Sequence, residues 1–139
     1  MTLKQLSIFI ENKGGTLIKV LDVLSQAGIQ IIASTISDTK DYGIYRVLCT
    51  NPAQAYLILK ESGVNVQLSE VFALSIEDEP GSAARHIKML SDNSVSILYL
   101  YSFLWQGKGV IAFRADQTEK CKELIMLNKL SFLTEENFK

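Results

Sequence analysis

Apolar and polar residues alternate at the start of the chain, where Leu6, Ile8 and Ile10 fall on one face of a strand. The period then changes. Leu17, Val20, Leu21 and Leu24 recur at i, i+3, i+4 and i+7, the apolar stripe of an amphipathic helix. An apolar, β-rich segment at 29–37 reads as a second strand, and a turn leads from it to Gly43. Tyr45, Val47 and Cys49 alternate on a third strand, Ala55, Ile58, Leu59 and Ser62 mark a second helix, and Val64 and Val66 a last short strand. The predicted order is βαββαβ.

That order occurs twice. Gly15 and Gly81 stand 66 positions apart, and the same offset pairs Ile10 with Ile76, Glu11 with Glu77, Leu24 with Leu90, Ile31 with Ile97 and Gly43 with Gly109. Identity is low, but the apolar pattern carries over, which is the stronger sign of a repeated unit. Two helices can cover only one face of a four-stranded sheet. The predicted fold class is therefore α+β: two consecutive ferredoxin-like βαββαβ units, antiparallel sheets with helices on one face, over residues 1–69 and 70–139. No Gly/Ser/Pro-rich linker separates them, and the last strand of one runs almost into the first strand of the next through "NVQLSEVFALSIED". The sheet faces away from the helices carry Phe9, Ile44 and Leu48, and Ala73, Val110 and Ala112. So apolar a surface calls for cover, and a homodimer is expected.

Composition narrows the function. The 139 residues are 47% hydrophobic and 21% charged with a formal net charge of -1, so a packed core is available and no basic stripe invites a nucleic acid. "VSILYLYSFLW" is about half the length a membrane span needs, and no signal peptide is visible; the expected location is the cytoplasm, with no membrane partner. His86 is the single histidine and takes the helix slot of Val20, while Cys49 and Cys121 align with Ala115 and Ala55. None of these builds a metal site or a nucleophile–base pair, and "NKGGT" is too short for a nucleotide-phosphate loop. No catalytic residue, metal or cofactor is expected.

The two strand-to-helix turns, "ENKGGTL" and "EDEPGSA", carry the remaining chemistry. Thr16 and Ser82 are N-cap candidates. A glycine beside free N–H groups at a helix start lets a carboxylate approach, and Asn12 or Asp78 offers oxygen to an ammonium group. A carboxylate beside an ammonium describes a free α-amino acid.

These turns resemble the ACT domain, through "I-x-E-N-x-x-G-x-L" at Ile8 to Leu17, "A-G-I-x-I" at Ala27 to Ile31, and the Pro80-Gly81 turn of the second copy. The resemblance covers essentially the whole chain and implies a non-enzymatic regulatory protein with an effector held where two units meet. The implied ligand-binding set is Asn12, Gly14, Gly15, Thr16, Gln30 and Ile31 in the first copy and Asp78, Gly81, Ser82 and Ser96 in the second. Gly14 stands where the family usually has Pro, Asp78 where it has Asn, and Ser96 is short, so the two sites need not bind equally. Tyr99, Tyr101 and Phe103 share one face of a strand, which favours an aromatic, histidine-like or branched-chain effector. The rival expectation is a ligand-free oligomerisation module that docks onto a metabolic enzyme.

Overall fold

The computed structural model describes residues 1–11, 15–38 and 42–139; Asn12 and Gly14 lie outside the described residues. The elements are β1 (Leu3–Glu11), α1 (Thr16–Gln26), β2 (Ile31–Asp38), β3 (Tyr42–Cys49), α2 (Pro52–Glu61), β4 (Val66–Ile76), α3 (Ser82–Asp92), β5 (Ile97–Trp105), β6 (Lys108–Ala115) and α4 (Thr118–Leu127), followed by a 3-10 turn at Glu135–Phe138. They form two compact units: Lys4–Glu70 with Glu135–Lys139, and Val71–Thr134 with Met1–Leu3. β4 is one uninterrupted strand that gives its first half to the amino-terminal unit and its second half to the carboxy-terminal one.

In the amino-terminal unit the strand order is β2-β3-β1-β4. β1 and β2 each pair antiparallel with β3. The alternation read from the sequence becomes burial: Leu6, Ile8, Tyr45 and Val47 meet Val20 and Leu24 of α1 and Ala55 and Leu59 of α2. In the carboxy-terminal unit β6 lies between β4 and β5, antiparallel to both. A bridge from Leu74 to Phe132 sets the last segment along β4. Its core joins Phe72, Leu74, Ile111 and Phe113 to Leu90, Cys121 and Ile125, with the Phe72 and Phe113 rings stacked 5.5 Å apart. The α+β class and its helices-on-one-face arrangement are thus as the pattern predicts.

The repeat extends to individual hydrogen bonds. Phe9 N–H donates to Asn65 and Ser75 N–H to Ser131; Thr50 N–H donates to Gln30 and Asp116 N–H to Ser96. Each pair is related by the offset of 66. All four helices also end alike, with the N–H of Ile29, Val64, Val95 and Leu130 reaching back five residues to Leu24, Leu59, Leu90 and Ile125. Such an ending needs a left-handed residue just past the helix. The first unit uses glycine there (Gly28, φ 72; Gly63, φ 82), the second Ser94 (φ 64) and Lys129 (φ 51).

Two expectations are corrected. Thr16 and Ser82 are not N-caps: Gly15 and Gly81 hold those positions, and no side-chain cap is made at either. The hydroxyl oxygen of Ser82 is buried without a hydrogen-bond partner among the described residues. The apolar sheet face is also less bare than expected: Leu48, Ala73, Val110 and Ala112 are buried and Ile44 half-buried, while Phe9 is exposed. Exposed apolar side chains concentrate instead on β5, where Leu98, Leu100 and Leu104 are 58%, 46% and 70% exposed.

A left-handed non-glycine residue costs roughly 1 kcal/mol. Ser94→Gly, at the slot Gly28 fills in the first unit, is expected to raise the melting temperature by about 2–4 °C. Circular dichroism melting checks this.

Candidate functional site

In the amino-terminal turn, Gly15 adopts φ 105 and starts α1, its carbonyl accepting the first helical bond from Lys19 N–H at 2.9 Å. The N–H groups of a first helical turn have no acceptor inside the helix. A Cβ built on Gly15 would meet nothing within 4 Å. Gly15 itself is exposed and Thr16 beside it is half-buried. The described part of this turn is open.

The carboxy-terminal turn is built the same way and occupied by its own side chains. Gly81 has φ 87, and its carbonyl accepts from Arg85 N–H at 3.0 Å. The Arg85 guanidinium, however, folds back to donate to Glu79 Oε1 at 2.8 Å, lies 3.8 Å from Glu77, and stands 3.5 Å from where a Gly81 Cβ would be. A hydrogen bond with the Glu77 carboxyl, and then the Arg85 hydrogen bond and charge, hold the Glu79 carboxyl below its usual range. A carboxylate arriving here meets Glu77, Asp78 and Glu79 against one arginine. Like charges repel, so this turn is less hospitable to a carboxylate than its amino-terminal counterpart, whose sequence has Asn12 and Lys13 in the places of Asp78 and Glu79.

Gln30 and Ser96 do not join the turns of their own units. Each follows a helix of 11 residues, about 16 Å long at 1.5 Å per residue, and so lies at the opposite end from the turn. There the backbone N–H of Gln30 donates to Thr50 Oγ1 and that of Ser96 to Asp116 Oδ1, both at 2.9 Å. Ile31 begins β2 half-buried against the core. Within one unit, then, the sequence-predicted set divides between two ends.

Asp78 belongs to a different feature, a cleft of about 520 Å³ in the carboxy-terminal unit. Its walls are the end of β4 (Ser75, Ile76), Glu77 and Asp78 of the turn, His86 of α3, Gly107 and Lys108 of the β5–β6 hairpin, and Lys129–Ser131 after α4. These segments converge because the turn, the hairpin and the end of the second helix all fall at one end of a βαββαβ unit. His86 Nδ1 lies 2.8 Å from the Ser82 carbonyl oxygen. A carbonyl only accepts, so Nδ1 carries the hydrogen. Lys108 and Lys129 escape single-residue motif reading, although the offset of 66 does set Lys129 against Gly63.

Both cysteines are core residues. Cys49 and Ala115 are each 5% exposed, and Cys121 and Ala55 0%. Burial pushes the thiols up to about 12 for Cys49 and about 11 for Cys121. Among the described residues no group of His, Cys, Asp or Glu could hold a metal ion, and no helix is long and apolar enough to cross a membrane.

Comparison with known proteins assigns this architecture. A family model describing an ACT domain pair matches residues 1–139. The crystal structure of a protein from Bacteroides thetaiotaomicron superposes with a TM-score of 0.94 at 34% identity, covering 99% of this chain and 96% of that one. The ligand-free regulatory subunit of aspartate kinase from Thermus thermophilus has a TM-score of 0.62 at 13% identity, covering 89% and 91% of the two chains. That from Thermus flavus has a TM-score of 0.59 at 14% identity, covering 88% of each. No curated protein matches the sequence. The chain belongs to the ACT domain pair family, which makes it a non-catalytic, ligand-binding regulatory protein.

The raised thiol values give a test. A thiol held above its usual ~8.5 adds stability that is complete below that pH and is lost as pH rises through its folded value. Neither cysteine should react with a thiol reagent near pH ~8 in the native protein, and both should react in denaturant. A colorimetric thiol count before and after unfolding decides it.

Proposed function

We propose that this ACT domain pair is a sensor of a free amino acid, bound at the Gly15 turn of the amino-terminal unit. The observation that supports it most directly is the contrast between the two turns: one open around its glycine, the other filled by Arg85. The α-carboxylate sits on the backbone N–H groups that begin α1, and Asn12 takes the α-ammonium by its place in the family's motif. Regulation then needs a coupling of about 1–3 kcal/mol between the bound and free states. Regulatory subunits of aspartate kinase share this fold, and an enzyme of amino-acid metabolism is the kind of partner proposed for this chain.

The proposed assembly is a homodimer through β5. This strand lies at the edge of its sheet, runs nine residues without proline, and exposes the three leucines noted above. An edge of this length and polarity is a template for pairing unless it is covered.

Thermal denaturation against each common amino acid tests the sensor. An effector at a hundred times its dissociation constant adds roughly 2.7 kcal/mol, a rise on the order of 5 °C. Asn12→Ala should remove the rise. A protein that responds to no amino acid is instead a ligand-free docking module. For the assembly, sedimentation should show a dimer in the native chain and a monomer when Leu100 and Leu104 are both changed to Lys.

A further inference from the structure

We infer that the segment Glu135–Lys139 is a releasable strap on the amino-terminal unit. It opens and closes while both cores stay folded, and its state sets the freedom of the start of β1. The strap goes beyond the sensor function proposed above and does not depend on it. In sequence the segment follows the carboxy-terminal unit, but it packs with Lys4–Glu70. Phe138 is only 7% exposed, while Glu135, Glu136, Asn137 and Lys139 around it are exposed. The backbone N–H of Lys4, in β1, donates to Glu135 Oε1 at 3.2 Å. A buried ring and a carboxylate fasten the segment to the unit.

The repeat shows how light this fastening is. The offset of 66 sets Phe138 against Phe72 and Glu136 against Glu70, so the strap holds the repeat position of the middle of β4. In β4 that position is locked. Phe72 pairs with Phe113 across the ladder, and their rings stack 5.5 Å apart within the core. Phe138 has no such place: it stands outside the core cluster of its unit, in a 3-10 turn of four residues and not in a strand. Such turns stay short because their hydrogen bonds are poorly aligned. The ion pair of Lys139 with Glu136, at 2.9 Å, has both ends within the strap. It shapes the segment without fastening it.

These differences set the order of opening. Withdrawing Phe138 disturbs one ring and leaves the cluster of Leu6, Ile8, Val20, Leu24 and Leu59 intact. Segments with few buried apolar contacts open locally, far more often than the whole protein unfolds. When the strap lifts, Lys4 N–H loses its carboxylate acceptor. The strand so released is the one that leads to the Gly15 turn.

Native-state hydrogen exchange tests this residue by residue. In the native protein the Lys4 amide should exchange about tenfold or more faster than those of Val47 and Phe113, in the central strands β3 and β6. Low concentrations of denaturant should barely change its rate, because a small opening exposes little surface. Phe138→Ala should raise the Lys4 rate about tenfold or more, with Val47 and Phe113 still protected and the circular dichroism spectrum unchanged. Exchange of Lys4 at the rate and denaturant dependence of Val47 overturns the strap, since the segment then opens only with its unit. So does a Phe138→Ala protein in which Lys4 exchanges as before, or one whose amino-terminal unit is unfolded, which makes the ring part of the core.

Discussion

Burial of one sheet face beneath two short helices is the constraint on which each unit depends. Helices of 10 or 11 residues are marginal on their own in water. They persist because Val20, Leu24, Ala55 and Leu59 in one unit, and Leu90, Cys121 and Ile125 in the other, lie against strands whose inward residues are almost fully buried. To lay a helix flat on the strand that precedes it, the chain must reverse within a few residues. The left-handed glycines at 15 and 81 provide that reversal. The functional geometry is therefore a by-product of packing: a tight reversal leaves backbone N–H groups at the helix start without a side-chain cap.

Much of this was legible beforehand because it follows from period. Strand alternation and helical spacing depend on residue type alone, and a pattern repeated at one offset in two places reinforces itself. The helix starts were less legible. Thr16 and Ser82 are good caps by type, yet the left-handed glycine before each moves them one position into the helix. Their hydroxyls are then no longer at the N-cap. The covered sheet face was illegible for another reason. Alternation shows which side of a strand is apolar but not what lies over it, and Ala73, Val110 and Ala112 prove buried within one chain.

The candidate site was legible only in part. Spacing drew attention to the turns, but it is blind to side chains that return from further along, so Arg85 folding over Gly81 is a finding of the structure. Gln30 and Ser96 enter through family resemblance. Inside a unit each stands a helix length from the turn, with its backbone N–H and carbonyl committed to Thr50 or Asp116.

The two copies show how a duplicated fold divides its work. Positions that hold the core agree closely: Cys49 with Ala115, Ala55 with Cys121, and the paired hydrogen bonds that recur at a constant offset. Positions around the turn diverge in charge instead, with Asn12 against Asp78, Lys13 against Glu79, and Gly63 against Lys129. Packing tolerates such changes because exposed charges contribute little to stability. A bound ion does not tolerate them, since its partners act at contact distance. Fold and specificity are thus carried by separate sets of residues, and one scaffold can present two turns of opposite electrostatic preference.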